Sequence, residues 1–270
     1  MTGRDRRNRG FTVLELVVVS VLGTLLLAAV LQTMIINQRT YTAQGARIQG
    51  QQAMRAAADV LFGEIREISP RGGDLLAMSS SSFSVRSMRR FGVVCQIMGM
   101  SPPVLRVLQV GEWIEDSDST FVFADNNATI SADDAWISTQ VTAVDTTVAC
   151  GTSPAQDLSY FGQGPLFAAD LVQVGAPVRT YVHHTYGLIS YDGHSYLGRT
   201  DANGTTVPLV GPLEASSGLR FAYLDSLGAA TTYRSEVRQI QVTVRTSSSA
   251  RNMGGEIVSD SITTLIFTRN

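Results

Sequence analysis

Glu15 is the only charged residue in the run FTVLELVVVSVLGTLLLAAVLQTMII, residues 11 to 36. A carboxylate inside a membrane helix costs roughly 2.5–3.5 kcal/mol at the bilayer centre and less near an edge. Glu15 lies about one helical turn from the start of the run, close to an interface. An acid fixed there calls for a partner, the alternative being an edge acid without a role. Cys95 and Cys150 are the only cysteines. On the exported side of a membrane they would pair and close a loop of about 56 residues, stabilising by roughly 4 kcal/mol in the loop-entropy picture. Two free buried thiols are the alternative. His183, His184 and His194 are the only histidines. With Asp192 they have the donor types for a metal, but neighbours on a strand point to opposite faces, so His183 and His184 would not share one ion. Asp125, Asn126, Asn127, Asp133 and Asp134 offer oxygen ligands for Ca²⁺ without the spacing of an EF-hand loop. Turn-forming Asx residues account for them equally well. Neither set makes a metal site the expectation, and no cofactor is expected. No nucleophile elbow, phosphate-binding glycine loop or zincin pattern occurs, so an enzyme is not expected.

The elements that position Glu15 begin with the apolar run. It exceeds the roughly 20 residues that span a hydrocarbon core. Arg4, Arg6, Arg7 and Arg9 precede it, against one Asp5. Such a cluster stays on the cytoplasmic side, which sends the rest of the chain across the membrane. An ordinary secretory signal also has a basic start and an apolar core, but this run is longer and no clear A-x-A site follows it.

The stretch Gly10-Phe11-Thr12-Val13-Leu14-Glu15 resembles the processing site of type IV prepilins. It joins a small residue before the cut, an aromatic after it, and an acid at the fifth mature position of an apolar helix. The resemblance implies cleavage between Gly10 and Phe11 by a prepilin peptidase and N-methylation of Phe11. It also implies that Glu15 meets the new amine of a neighbouring subunit during assembly. Residues 1–10 are then a cytoplasmic leader and 11–36 a transmembrane helix.

Helical patterning continues through 37–68. Met54, Ala57, Leu61, Ile65 and Ile68 recur at spacings of three and four, an amphipathic stripe, and Ser69-Pro70-Arg71-Gly72-Gly73 ends it. One helix over 11–68 would be about 87 Å long. Beyond it, residues 70–270 read as a β-rich periplasmic or extracellular head. Expected strands are Ser82–Arg86, Val104–Val110, Thr120–Ala124, Trp136–Val144, Asp170–Val174, Val178–His183, Tyr186–Tyr191, Ser195–Arg199, Leu219–Leu224 and Ile240–Val244. Asp192-Gly193 is a hairpin turn, and a polar loop over Ser247–Gly255 leads into a last strand, Ile257–Arg269, which pairs with its predecessor. The fold class is α+β: a long N-terminal helix on an antiparallel sheet, as the pilin resemblance implies.

Tyr196-Leu197-Gly198-Arg199, Gly218–Asp225, Val237–Val244 and Thr268-Arg269-Asn270 resemble minor pilins and pseudopilins of the PilW and GspJ kind. Residues 90–165 carry no such resemblance and read as a variable insertion. Gln32 stands where major pilins commonly carry Pro, and the head is large for a filament building block. The expectation is a minor pilin near a pilus tip, with a type II secretion pseudopilin as the alternative and, from another class, a membrane-anchored periplasmic enzyme or receptor. The partners implied are other minor pilins, the major pilin, a tip adhesin, the prepilin peptidase and the inner membrane. The net charge of −2, from 21 Arg and no Lys against 23 acids, leaves no basic footprint for nucleic acid.

Overall fold

A computed structural model describes residues 12–100, 102–125, 129, 134–161, 171–251 and 254–269. Its elements, in chain order, are a helix α1 (Val13–Glu67) and strands β1 (Leu75–Met78), β2 (Ser82–Met100), β3 (Pro103–Val110), β4 (Ser119–Ala124), β5 (Ala135–Cys150), β6 (Ser153–Tyr160), β7 (Pro177–Tyr191), β8 (His194–Asp201), β9 (Thr206–Leu213), β10 (Leu219–Leu224), β11 (Gln239–Arg251) and β12 (Ile257–Phe267). The chain divides into two compact units, 12–51 with Ser247–Asp260, and Gln52–Thr246 with 261–269.

No proline precedes Pro70, so nothing removes a helical donor before that point. Pro70 then disfavours helical geometry at Ser69, and α1 stops at Glu67. In the first unit, Thr40, Ala43, Gln44 and Arg47 of α1 and Gly254 with Glu256–Ser259 line a cleft of about 550 Å³. Gln51 Nε2 donates to Asp260 Oδ2 at 3.4 Å.

The second unit holds two apolar cores. The first is built on the α1 stripe, where Ala57, Leu61 and Ile65 are fully buried and Met54 nearly so, and on Ile68 just past its end, also nearly fully buried. They pack with Phe83, Val85, Tyr186 and Leu197, and with Leu219, Phe221, Ile240, Val242 and Val244 of the sheet β10-β11-β12. Phe83 stacks on Tyr186 at 5.4 Å and meets Phe221 edge-on at 4.9 Å. Ser87 Oγ donates to Glu64 Oε2 at 2.7 Å, tying the helix to β2.

The second core lies inside a closed barrel. The nine-stranded sheet runs β1-β2-β3-β6-β5-β4-β7-β8-β9, and β2 also pairs with β7. That extra pairing, at Phe91↔Arg179, Gly92↔Val178 and Val93↔Pro177, closes the ring β2-β3-β6-β5-β4-β7. Closure removes the free edges such strands would otherwise expose. Val94, Leu105, Val107, Val122, Ile137, Val141, Leu158, Tyr160 and Val178 fill it. β2 and β7 are long because each serves two layers. Their halves nearer α1 pair with β1 and β8, and the remainder joins the barrel. Gly92 permits the β2–β3 approach, since a Cβ there would stand 2.4 Å from Val107 Cγ1.

The α+β class holds, with the long helix packed on antiparallel sheet. Several strand expectations change. Val178–His183 and Tyr186–Tyr191 are one strand, β7, because both neighbours continue past residue 184. β2 runs to Met100 and β5 to Cys150 rather than stopping at Arg86 and Val144. Residues 171–174 form turns, not a strand, and Asp170 lies outside the described residues. Ser247–Arg251 belongs to β11 rather than to a loop, since small hydroxyl side chains suit an extended ladder. β1, β6 and β9 were not expected. Asp192 (φ 48°) and Gly193 (φ 74°) make the tight turn between β7 and β8, as their residue types require.

Candidate functional site

The N-terminal helix is the element with the clearest specialised construction. Thr12 Oγ1 accepts the Glu15 backbone N–H at 3.3 Å, and Leu16 N–H donates to the Thr12 carbonyl at 3.2 Å. Thr12 is therefore the N-cap, and Thr12-Val13-Leu14-Glu15 has the residue pattern of a capping box. Glu15 sits in the first turn, where the positive end of the helix dipole favours an anion. Its side chain is exposed. Helix geometry thus supplies a local reason for an acid at this position, beside any role toward a second subunit. Gly10 and Phe11 lie outside the described residues.

From Val13 to Ile36 the large apolar side chains of α1 are exposed, Val13 at 82% and Leu26 at 69%. A stretch of about 24 residues at 1.5 Å each is about 36 Å long, enough to cross a hydrocarbon core. Its hydroxyls turn back onto their own helix. Ser20 donates to the Leu16 carbonyl, Thr24 to that of Val21 and Thr33 to that of Ala29, at 2.8–2.9 Å. No hydroxyl among these three needs water, the condition a lipid environment imposes. Length, apolar surface and internal hydrogen bonding all fit anchoring in a membrane.

Cys95 and Cys150 form a disulfide, with Cα atoms 6.2 Å apart. Cys95 lies in a bulge of β2, between Val94↔Val107 and Gln96↔Arg106. Cys150 ends β5. β2 and β5 are not neighbours; β3 and β6 stand between them in the barrel. The bridge therefore ties opposite parts of the barrel wall.

The histidines do not converge. His183 is exposed and stacks on Tyr181 at 5.5 Å, whereas His184 is buried and its Nδ1 lies 3.0 Å from Arg89 Nη2. Burial, then the Arg89 and Arg199 charges, lower the His184 pKa. His194 is exposed at the start of β8. Among the described residues no group of three His, Cys, Asp or Glu side chains is placed to hold a metal. Of the Asx residues considered for calcium, Asn126, Asn127 and Asp133 lie outside the described residues.

One cluster escaped the sequence reading. Arg179 of β7 is 3% exposed and Asp74 is 1% exposed. Arg179 Nη1 and Nη2 donate to Asp74 Oδ2 and Oδ1 at 3.2 and 3.1 Å. Asp74 Oδ2 also accepts the Ser69 N–H at 2.9 Å, so this acid joins the turn after α1 to the barrel wall. The Arg179 guanidinium lies over Trp136 and Phe121, 4.5 and 4.9 Å from the ring centres. Arg86 stands over Phe121 and Tyr181 at 5.0 and 5.2 Å. A sequence separation of 105 left the ion pair without a local signal.

Residues 5–31 match the prokaryotic N-terminal methylation motif. No curated protein and no solved structure matches the chain. The motif covers Glu15 and most of the exposed apolar part of α1, and together with the α+β architecture it supports a protein of the type IV pilin or pseudopilin kind.

Proposed function

We propose that this chain is a minor pilin, which assembles with other minor pilins at the tip of a type IV pilus and presents its head to partners. The supporting observation is a methylation motif on a capped apolar helix whose first turn carries a lone acid. Arg4, Arg6, Arg7 and Arg9 favour a cytoplasmic leader of residues 1–10 and a periplasmic head. Cleavage after Gly10 frees the Phe11 amine, which is then N-methylated. Glu15 of one subunit pairs with that cation on its neighbour, and in a low-dielectric bundle such a pair sets register. The inner membrane stores the subunit until the assembly machinery draws it out.

Two features favour a minor subunit. α1 continues through Gln32 without a break, where a proline would let the helix melt. The head also carries a second β-layer: much of 90–165, the segment read as variable, forms barrel strands. That layer suits display better than close repetition along a shaft. A type II secretion pseudopilin of the GspJ kind has the same N-terminal logic. Deleting the gene distinguishes the two: loss of surface pili supports the pilus reading, and retention of exported enzymes in the periplasm supports the other.

A further inference from the structure

Beside the Asp74–Arg179 pair lies a pocket of about 400 Å³, lined by Ser69, Met88, Phe91, Trp136, Pro177, Arg179 and Arg269. Its lining mixes aromatic and apolar side chains with Ser69, and its charged lining groups are two guanidiniums. The charges acting on Arg179 are those of Asp74, Arg269 and Arg86. Among the described residues, one carboxylate thus stands against three guanidiniums here. That carboxylate is committed, since both its oxygens receive Arg179 and one also receives Ser69 N–H. Arg179 Nε is buried without a hydrogen-bond partner. Arg86 is held by the Gly73 carbonyl, 2.8 Å from its Nη1. Arg269 is exposed, and its backbone N–H is fixed to the Ile68 carbonyl at 3.0 Å. Its side chain brings a second guanidinium to the pocket beside that of Arg179. Such a pair attracts an anion, and a guanidinium is matched to a carboxylate in shape as well as charge.

We propose that this pocket binds an organic carboxylate carried on an aromatic or apolar body, with Arg269 as its ion-pair partner and Trp136, Phe91 and Met88 as its walls. The carboxylate can belong to a free small acid or to a polypeptide. The site does not depend on how the N-terminus is processed.

Trp136 reports on its own pocket. The sequence has one other tryptophan, Trp113, so Trp113→Phe leaves Trp136 as the sole emitter. The full chain in detergent, with this substitution, would be titrated with benzoate, N-acetylphenylalanine and neutral benzamide while Trp136 fluorescence is followed. Saturable change with at least one acid and none with benzamide is the expected result. Arg269→Ala should weaken acid binding by about tenfold or more, the scale of a lost charge-assisted hydrogen bond. Arg220→Ala, on the exposed side of β10, should leave binding unchanged. Tighter binding of N-acetylphenylalanine would assign the site to a polypeptide carboxylate, and tighter binding of benzoate to a free acid. Absence of saturation with both acids, an equal response to benzamide, or undiminished binding in Arg269→Ala with unchanged circular dichroism would overturn the site.

Discussion

Two acids carry opposite kinds of burden. Glu15 is exposed in the first turn of α1 and has little to contribute to the head's stability. Its expected effect is on assembly: Glu15→Ala should leave the amount of subunit in the membrane fraction unchanged while removing it from sheared filaments. Normal incorporation of the variant, read by immunoblot of both fractions, would contradict pairing with a neighbour's amine. Asp74 is buried and binds Arg179 through both oxygens. Removing one partner of a buried pair leaves an uncompensated charge, so Asp74→Ala should lower the unfolding free energy by about 3–5 kcal/mol. Chemical denaturation of the purified chain would check this. The two acids also differ in how visible they are in the sequence. Glu15 stands alone among apolar residues, whereas nothing near Asp74 in the chain announces Arg179.

At the scale of elements, legibility followed periodicity. Met54, Ala57, Leu61 and Ile65 lie on one helical stripe, with Ile68 just past its end, and each is buried. Asp192-Gly193 marked its turn because few residue pairs accept those backbone angles. The barrel was not legible. Its closure depends on β2 meeting β7 at Phe91↔Arg179, and β7 meeting β4 at Phe121↔Arg179, pairings that no local pattern encodes. β6 was missed for a related reason. Its sequence SPAQDLSY opens with Pro154 near the start and buries the polar Gln156. Gln156 is paired on both ends with the Ile114 backbone, at 3.0 and 2.8 Å, a contact invisible in one dimension. The Cys95–Cys150 bridge ties non-adjacent strands of this barrel. Replacing both cysteines by Ser should cost about 4 kcal/mol by loop entropy, and thermal melts with and without reductant should show the same loss.

The whole molecule joins an apolar helix to a head whose stability should respond to acidity through His184. His184 is buried beside Arg89 and Arg199, and its pKa is lowered by burial first and by those charges second. A histidine that binds its proton less well when folded favours the unfolded state once protons are available. Stability should therefore fall as pH drops below about 6.5, the usual histidine value, toward the lower folded value. Melting curves at pH 7 and pH 5 should show the drop, and His184→Gln should reduce the difference; an unchanged difference would exclude this residue as its source. The anchor carries the central claim. A prepilin-type N-terminus is recognised by its sequence, and the helix that follows has the cap, the lone acid and the lipid-ready surface such a subunit needs. Mass spectrometry of the N-terminal peptide of the chain isolated from its membrane tests that claim most directly. A mature terminus at N-methylated Phe11 is the predicted result, and an intact Met1 terminus would contradict it.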